Sequence, residues 1–386
     1  MSRFIVMDIV FYGSSLNYDQ GAGNYQELKK ITKWDGKQYT LVSRYALRYS
    51  LLHSSEFPLA KGNVFTQEKK RGAGERGTFK PKPELLFNGE ILKYPEFDLF
   101  GFLVTNTEPQ NFRESPVKIS HAISMTPFNY DNHFCGNHWT ARRALEAGVT
   151  DKMDINLFTK EEHETYYQYT IVVDVEKVGK LTVYTTNEKN VEIIKDLLKG
   201  EEGEVTLKTE NGNEIKVFAK VKEIPSSKEK KSKRGVFEIF YELSEEERKK
   251  RIEILLKAVL NLHREIKGVP SSLSPKLMIV GVYKDKPYLT YKDKIVLADE
   301  YVEERIEEVE EIEKDGKKIF KVKHTLLKSK KPVFEVFLKN TGADAEEISE
   351  EEFLSFIKEI WGDSKNGNAF SKVKVFYDPS VEVRIK

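Results

Sequence analysis

Two arginines one helical turn apart follow a serine in Ser43-Arg-Tyr-Ala-Leu-Arg48, a spacing suited to binding an anion. A helix is predicted over Ser43–Ser54, because the serine is a good N-cap and an apolar stripe follows at Ala46, Leu47 and Leu51. Amides at a helix N-terminus attract anions, and guanidinium groups match phosphate oxygens in pairs. We therefore predict a phosphate-binding site at Ser43, Arg44 and Arg48. A solvated helix face with an ordinary N-cap is the alternative.

The loop Asn17–Asn24, which precedes this helix, combines glycines with side chains that donate hydrogen bonds. Gly21 and Gly23 permit positive φ or a close approach of the backbone to a ligand. Three amide side chains are suited to phosphate or 2′-hydroxyl groups and favour RNA over DNA: Asn17, Gln20 and Asn24. The positive rim of the loop is extended by Lys29, Lys30 and Lys33. A plain surface loop with solvent-facing lysines explains the same composition.

A second basic segment, Lys69-Lys-Arg-Gly-Ala-Gly-Glu-Arg76, has the composition of a segment that becomes ordered on nucleic acid. We predict that it contacts nucleic acid or a neighbouring subunit through Lys69, Lys70, Arg71 and Arg76. A disordered loop is the alternative.

Metal binding and catalysis are not predicted. His133-Phe-Cys-Gly-Asn-His138 places three ligands within six residues, but the spacing does not match a zinc pattern and a fourth ligand would have to come from a distant part of the chain. The sequence contains no evident Ser–His–Asp triad, pair of glutamates or phosphate loop. We therefore expect no metal, no other cofactor and no enzymatic activity.

The composition limits the class of protein. With 386 residues the chain is long enough for one elaborated domain or two, and 63 Lys and Arg against 62 Asp and Glu give no global signal for nucleic acid. The single cysteine, Cys135, excludes an intrachain disulfide, and no window approaches the roughly 18 apolar residues of a membrane span. The expected location is the cytoplasm, with no membrane partner.

Paired strands position these residues. Phe4–Phe11 is a dense apolar strand, and the alternating segment Val117–Thr126 has a return partner in Tyr166–Asp174. Between the last two lies a polar excursion, Pro127–Glu164, and loops longer than roughly 12–15 residues in a compact domain are usually functional or disordered. We predict a projecting arm over residues 125–165. Met125, at its base, is suited to wedge between nucleotides, with packing at the strand end as the alternative. Phe128 and Tyr130 are further candidates for base stacking.

The remaining elements follow from periodicity and capping signals. A strand is predicted over Asp98–Thr105, and Asn211-Gly212 predicts a hairpin turn between Glu204–Leu207 and Glu214–Val221. A helix begins at Ser244, with Glu247 completing a capping box, and is expected to end near Gly268 and Pro270. Further predictions are a strand over Leu277–Val282, an exposed helix or edge element over Glu300–Lys314, and a helix over Ser349–Ile360. That last helix has the Ser-x-x-Glu capping signature at Ser349 and Glu352. The order predicts an α+β fold with the βαββαβ framework of ferredoxin-like domains.

Five blocks in this order resemble the Cas-seven family, the backbone subunit of CRISPR type I interference complexes, and are most similar to its DevR-like type I-B branch. The blocks are Ser15-Leu-Asn17 with the glycine loop, Ser43–Arg48, Asp98-Leu-Phe-Gly101, Ile119-Ser-His-Ala-Ile-Ser124 and Tyr166–Asp174. Residues 1–60 and 97–180 carry the resemblance.

The resemblance implies one domain over residues 1–386, with an antiparallel RRM-like palm, fingers over 55–95 and a thumb over 125–165. It implies a guide-RNA (crRNA) subunit of an antiviral surveillance complex (Cascade), stacked in several copies along the RNA. Its other partners are target DNA, a subunit that caps the 5′ end and a large subunit. Because the guide varies, binding should depend on phosphates, sugars and backbone shape. Tyr45 stands where family members often have glutamine, and its ring is suited to stacking or hydrogen bonding.

Two alternatives stay open. Related type III subunits cleave RNA with an aspartate after the first strand, and Asp19 and Asp35 leave open a metal-dependent endoribonuclease. A DevR-like regulator that binds promoter DNA of its own operon is the other.

Overall fold

The computed structural model describes residues 3–69, 77–153, 155–225, 235–284, 290–298, 302–314, 317–329, 331–338, 344–362 and 372–386. The helices in these ranges are α1 Arg44–His53, α2 Glu84–Phe87, α3 Pro95–Phe100, α4 His138–Glu146, α5 Glu188–Leu198, α6 Glu245–Leu260 and α7 Glu350–Gly362. Short 3-10 turns lie at Gly62–Val64, Glu90–Lys93 and Lys292–Lys294. Strands predominate, and the α+β class predicted from the sequence is confirmed.

A nine-stranded sheet forms the centre of the fold. Its strands are β1 Arg3–Ser14, β2 Lys30–Thr32, β3 Gln38–Val42, β4 Val117–Ile119, β5 Ala122–Ser124, β6 Glu164–Asp174, β7 Leu277–Lys284, β8 Asp344–Glu347 and β9 Lys372–Tyr377. Their order is β8-β9-β7-β1-β6-β5-β3-β2, with β4 also paired to β6. All pairs are antiparallel except β8–β9.

The sheet has apolar side chains on both faces, which explains why β1 is apolar along most of its length. Met7 and Ile9 pack against α1, α6 and α7 in the largest apolar cluster, together with Leu47, Leu255 and Phe353. Val10 faces the opposite side and packs in a second cluster with Leu277, Ile279, Phe334 and Val336. A small three-stranded sheet, which contains Phe334 and Val336, covers this face. Its strands are Ile295–Ala298, Val333–Val336 and Glu382–Ile385.

A separate four-stranded sheet comprises, in spatial order, Lys180–Thr185, Val236–Leu243, Glu214–Ile224 and Glu202–Lys208. The predicted hairpin is confirmed, and Gly212 in its turn has a φ of 82°. α5 packs on this sheet through Val191 and Ile194, although the sequence analysis predicts no helix there.

The remaining strands form small ribbons. They are Phe65–Lys69 with Gly77–Pro81, Phe102–Val104 with Asn111–Arg113, His263–Ile266 with Val269–Ser272, and Val302–Lys314 with Lys317–Ser329. In the arm, Asn132–Gly136 pairs with Leu157–Glu161, which also pairs in parallel with Tyr25–Gln26. The predicted return strand is confirmed, because β6 pairs with both β4 and β5, the two parts of the predicted strand Val117–Thr126.

Three predicted elements were wrong or incomplete. Asp98 lies in helix α3 rather than in a strand, because Pro95 starts a helical turn and Gly101, with a φ of 74°, ends it. The helix from Ser244 ends at Leu260, and Gly268 instead forms the turn of the hairpin that follows. Of the two forms predicted for Glu300–Lys314, an exposed helix or an edge element, the edge element is confirmed and the helix is wrong over the described residues 302–314, which pair with Lys317–Ser329 in a two-stranded hairpin. By contrast, the capping signals at Ser244 and Ser349 are confirmed by hydrogen bonds at α6 and α7.

A buried ionic cluster joins α3 to α6. The carboxylate of Asp98 accepts a hydrogen bond from Arg251, with Nη1 2.8 Å from Oδ2, and both side chains are fully buried. Arg113 forms a second ion pair with Asp98, and the backbone N–H of Gly179 donates to it over 2.9 Å. These contacts fix the position of α3, and the last residue of α3, Phe100, lies with its ring under the Arg48 guanidinium of α1.

Candidate nucleic-acid interface

The N-terminus of α1 is held by three hydrogen bonds. Ser43 Oγ accepts from the N–H of Ala46 over 3.2 Å, which confirms the predicted N-cap. The N–H of Ser43 donates to Asn17 Oδ1 over 2.9 Å, and the N–H of Arg44 donates to His121 Nδ1 over 3.0 Å. The glycine loop and the residue before β5 therefore determine where α1 begins.

Arg44, Tyr45 and Arg48 line one cleft, as the spacing predicts. Its volume is about 350 Å³, and its other lining residues are Phe100, Ser115, Val117, Lys118 and Ile119. Arg44 and Tyr45 are exposed, and the Arg44 guanidinium lies 5.0 Å from the Tyr45 ring centre while its Nη2 donates to the Tyr45 hydroxyl over 3.0 Å. A cation and an aromatic ring are thus presented together at the helix terminus.

Arg48 occupies the inner side of this cleft. Its guanidinium lies 5.1 Å from the centre of the Phe100 ring. Burial lowers the pKa of Arg48, and Glu96 opposes that shift; an arginine remains charged in either case. Hydrogen bonding to Arg44 lowers the pKa of the Tyr45 hydroxyl. The cleft therefore combines permanent positive charge with an apolar floor, an arrangement suited to a ribose-phosphate chain.

The glycines of the loop Asn17–Asn24 set the path of its backbone and are not placed there for contact with a ligand. Gly23 has a φ of 60°, and a side chain at Gly21 would collide with the Tyr25 carbonyl, so both glycines serve the path of the loop itself. Asn17 is half-buried and its oxygen is taken by Ser43, whereas Gln20 and Asn24 are exposed on the loop. The backbone N–H of Thr159 donates to the carbonyl of Asn24 over 2.9 Å, which joins the loop to the arm.

The two predicted lysines differ in environment. Lys29 is half-exposed and pairs with Asp19, with Nζ 2.9 Å from Oδ1. Lys30 instead forms a largely buried pair with Glu161 of the arm. Lys29 remains accessible at the rim, whereas the charge of Lys30 is already matched inside the protein.

Comparison with known proteins identifies the family. The family model described as CRISPR-associated negative auto-regulator DevR/Csa2 matches residues 5–306. The chain belongs to the DevR/Csa2 family. The resemblance found in the sequence is thereby confirmed.

Two further comparisons were made. No curated protein matches the chain. A solved structure described as a CRISPR RNA-guided surveillance complex, pre-nicking, shares 10% identity over 75% of this chain and 81% of its own, with a TM-score of 0.39. A structural similarity this distant says nothing about function.

The arm of this DevR/Csa2 protein begins directly after β5. Met125 is half-buried and packs with Tyr166 at the cluster that contains Phe334, which agrees with the packing alternative for this residue. Phe128, a further candidate for base stacking, is only 4% exposed and is unavailable to a ligand, because it packs against His163 and Tyr130. Tyr130 is 63% exposed, and base stacking by its ring stays a prediction.

The basic segment predicted in the fingers lies mostly outside the described residues. This applies to Lys70, Arg71 and Arg76, whereas Lys69 ends the strand Phe65–Lys69. The prediction of a nucleic-acid or subunit contact therefore stays a prediction.

Among the described residues, no group of three or more His, Cys, Asp or Glu side chains is placed to hold a metal ion. Cys135 and His133 share a strand of the arm, and His138 begins α4. Asp19 is engaged by Lys29, and Asp35 accepts hydrogen bonds from Tyr39 Oη over 2.7 Å and the Lys37 N–H over 3.0 Å. Within these ranges, no helix is both long and apolar enough to cross a membrane.

Sequence reasoning missed Lys118 and the role of His121. Lys118 lines the cleft, and its ammonium pairs with Glu114 over 2.8 Å. His121 accepts the first amide of α1, and burial, followed by the charges of Arg44 and Lys292, lowers its pKa, which favours the neutral ring that can accept. No periodic pattern in the sequence indicates either role, because Lys118 and His121 lie far from α1 in the sequence and approach it only in the folded sheet.

Proposed function

We propose that this protein is a guide-RNA (crRNA)-binding backbone subunit of a type I CRISPR surveillance complex, of the Cascade type, with the I-B branch as its subtype. Several copies assemble along one RNA and support recognition of target DNA in antiviral defence. The observation that carries the proposal is the convergence of Arg44, Tyr45, Arg48 and Lys118 on one cleft at the N-terminus of α1.

The contents of the cleft support binding that ignores base identity. Arginine forks and a lysine match phosphate oxygens, and the aromatic ring of Tyr45 offers a surface for a sugar or base. Gln20 and Asn24 stand exposed on the adjoining loop and are suited to ribose hydroxyls. Such contacts tolerate any guide sequence, as a subunit that carries many guides requires.

The strand order supports a palm of the RRM type. The order β7-β1-β6 followed by β4 and β5, with α1 after β1 and α6 before β7, has the βαββαβ arrangement. The arm pairs with the short strand Tyr25–Gln26, which follows the glycine loop, and carries exposed aromatic side chains at Tyr130, Phe134 and Trp139. In the proposed assembly it contacts the neighbouring copy and its RNA.

The proposed role is not catalytic. Asp19 and Asp35, the candidate carboxylates for RNA cleavage, are engaged by Lys29 and by the turn at Lys37 and Tyr39. Electrostatics and stacking hold the RNA, and base pairing reads the target. The other proposed partners are a 5′-end capping subunit and a large subunit.

Co-expression with a repeat-bearing transcript tests the proposal. The purified protein should carry small RNA of uniform length and sediment as an assembly of several copies, whereas the variant with Arg44→Gln and Arg48→Gln should carry far less RNA. Lys249→Gln with Lys257→Gln, two exposed lysines of α6, removes the same charge elsewhere and should leave both properties unchanged. A wild-type protein that is monomeric and free of RNA would exclude the proposal.

A second candidate follows from the family description, which names a negative auto-regulator. In that role the same cationic cleft would contact DNA phosphates at the promoter of its own operon. Specific retention of that promoter, with competitor DNA of scrambled sequence as the control, would favour this role over guide binding.

A further inference from the structure

Trp34 is the most exposed large apolar side chain in the described part of the chain, with 97% of its surface accessible. It lies in the turn between β2 and β3, at the end of the hairpin that follows the glycine loop. An exposed indole is available for contact and contributes nothing to a core. A single exposed apolar residue is common on protein surfaces, so the case for a binding role depends on the residues around Trp34.

The turn that carries Trp34 is rigidly built. Lys33 N–H donates to the Lys37 carbonyl over 3.1 Å, and Gly36 N–H donates to the Lys33 carbonyl over 3.0 Å. Asp35 accepts from the Lys37 N–H over 3.0 Å and from the Tyr39 hydroxyl over 2.7 Å. Gly36 has a φ of 75°, a conformation that glycine adopts without strain. The indole is therefore displayed from a pre-organised turn.

Cations flank the indole. Lys33 packs with its ammonium 3.8 Å from the centre of the Tyr39 ring, and Lys37 is exposed in the same turn. The single carboxylate of the turn, Asp35, is exposed and accepts its two hydrogen bonds from the Lys37 N–H and the Tyr39 hydroxyl. Two lysines against one carboxylate leave the tip with an aromatic face and a net positive charge.

Lys292 brings a further cation to this side of the sheet. Buried Asp8 of β1 accepts from Thr290 Oγ1 and from the Tyr291 N–H, each over 2.6 Å, and the Gln168 amide donates to the Lys292 carbonyl over 2.7 Å. These bonds fix the backbone on both sides of the Lys292 side chain. Gln168 pairs across strands with Ile123, and Ile123 pairs with Leu41, two residues from the Tyr39 ring on which Lys33 packs. Lys33 and Lys292 therefore lie over the same face of the sheet, and burial followed by the charge of Lys292 lowers the pKa of Lys33.

The same cation also links the hairpin to the cleft. His121 lies two residues before Ile123 and accepts the hydrogen bond of the Arg44 N–H, and burial followed by the charges of Arg44 and Lys292 lowers its pKa. Arg44 thus lies beside His121 at one end of β5, and Lys292 and Lys33 lie over the face of the sheet that carries Ile123. Clustered cations repel one another, and a polyanion that lies along them relieves that repulsion.

We propose that Trp34 is a base-stacking platform for single-stranded RNA, and that Lys33 and Lys292 bind phosphates of the same strand. The inference rests on the proposed function and extends it to a contact outside the α1 cleft. Stacking on an aromatic ring accepts every base, because each base has a π face, so the contact suits a guide of variable sequence. Charge complementarity and continuity with the cleft favour RNA over a protein partner.

The test measures the affinity of the full-length protein for two labelled probes by fluorescence anisotropy. One probe is a short oligouridylate, and the other is an abasic ribose-phosphate strand of equal length. Trp34→Ala should weaken oligouridylate binding about 5- to 150-fold, the range that corresponds to loss of one stacked base. The same variant should bind the abasic strand like the wild type, since that strand offers nothing to stack.

Further variants separate stacking from charge. Trp34→Phe should restore most of the affinity for oligouridylate, whereas Trp34→Leu, apolar but not aromatic, should not. Lys33→Gln and Lys292→Gln should weaken both probes and each lower the salt slope by about 0.7. Phe218→Ala is the matched control, because this exposed aromatic pairs across strands with Glu204 and Glu242 and should change neither affinity.

Specific outcomes overturn the inference. One is a Trp34→Ala variant with wild-type affinity for oligouridylate, and another is an equal loss on both probes. A Trp34→Ala variant that binds RNA normally but changes its sedimentation would identify a protein contact instead. In each of these cases the wild type still binds RNA, so the proposed function survives; a wild type that binds neither probe nor the repeat-bearing transcript removes both.

Discussion

Lys30 of β2 and Glu161 of the arm form an ion pair across 131 positions of the chain, with Nζ 2.6 Å from Oε1. The two side chains are only 16% and 3% exposed. Glu161 also accepts from the Leu28 N–H over 2.7 Å and from the Tyr25 hydroxyl over 3.1 Å. This carboxylate therefore anchors the arm to the segment between the glycine loop and β2.

Replacing Lys30 with methionine should destabilise the protein strongly, because it leaves the Glu161 charge buried with only neutral donors. The expected loss in unfolding free energy, measured by urea titration, is about 3 kcal/mol. Lys29→Met removes a half-exposed pair and should cost less than about 1 kcal/mol. Lys30→Met combined with Glu161→Gln should recover part of the loss. Equal effects of the two single lysine variants would contradict this role for Lys30.

Asp98→Asn should be among the most destabilising substitutions in the chain. Asp98 is the shared partner of Arg113 and Arg251, and its replacement removes the carboxylate that pairs with the buried Arg113 and leaves Arg251 with its pair to Glu247. The expected cost is about 3–5 kcal/mol in the same urea titration. The control Glu114→Gln alters an acid that is 54% exposed and should change stability by less than about 1 kcal/mol. A similar result for both variants would show that the buried cluster contributes little.

Arg44→Gln and Arg48→Gln should weaken RNA binding without changing its tolerance of sequence. Each lost phosphate contact lowers the slope of log affinity against log salt by about 0.7 for a single strand. Titrations at several salt concentrations with two unrelated RNA sequences measure both properties. Lys249→Gln provides the charge-matched control on α6 and should leave the slope unchanged. Unaltered slopes for both arginine variants would remove the α1 cleft from the RNA path.

Protonation of His163 should destabilise the base of the arm. His163 is buried, Nδ1 lies 2.7 Å from Thr40 Oγ1, and burial lowers the pKa of the ring below its ordinary 6.5. The native state then binds fewer protons than the unfolded chain, so stability increases with pH in this window and is lost as pH falls below about 6.5.

His163→Gln should flatten that dependence in urea titrations between neutral and mildly acidic pH. His53→Gln is the control, because this histidine is exposed and stacks on Tyr49 at the end of α1. An unchanged pH profile for His163→Gln would show that another group causes the loss of stability at mildly acidic pH.

Local signals in the sequence determined several features of this protein. The Ser43 N-cap, the capping box at Ser349 and the turn at Gly212 each depend on residues within a few positions of one another. The alternating segments predicted the pairing of β4 and β5 with β6, since strands with one apolar face need a partner. Arg44 and Arg48 share a cleft because helical spacing alone places them on one side of α1.

Only the tertiary structure decided the state of residues whose partners are distant in the chain. Asp98 belongs to a helix whose position depends on Arg251, 153 positions away, and an apolar run without that partner resembles a strand. Lys30 and Lys33 look alike in sequence, yet Lys30 is neutralised by Glu161, whereas Lys33 packs on the Tyr39 ring next to the exposed Trp34. The burial of a charge or a ring depends on which distant segments pack around it, and short-range patterns carry no record of that packing.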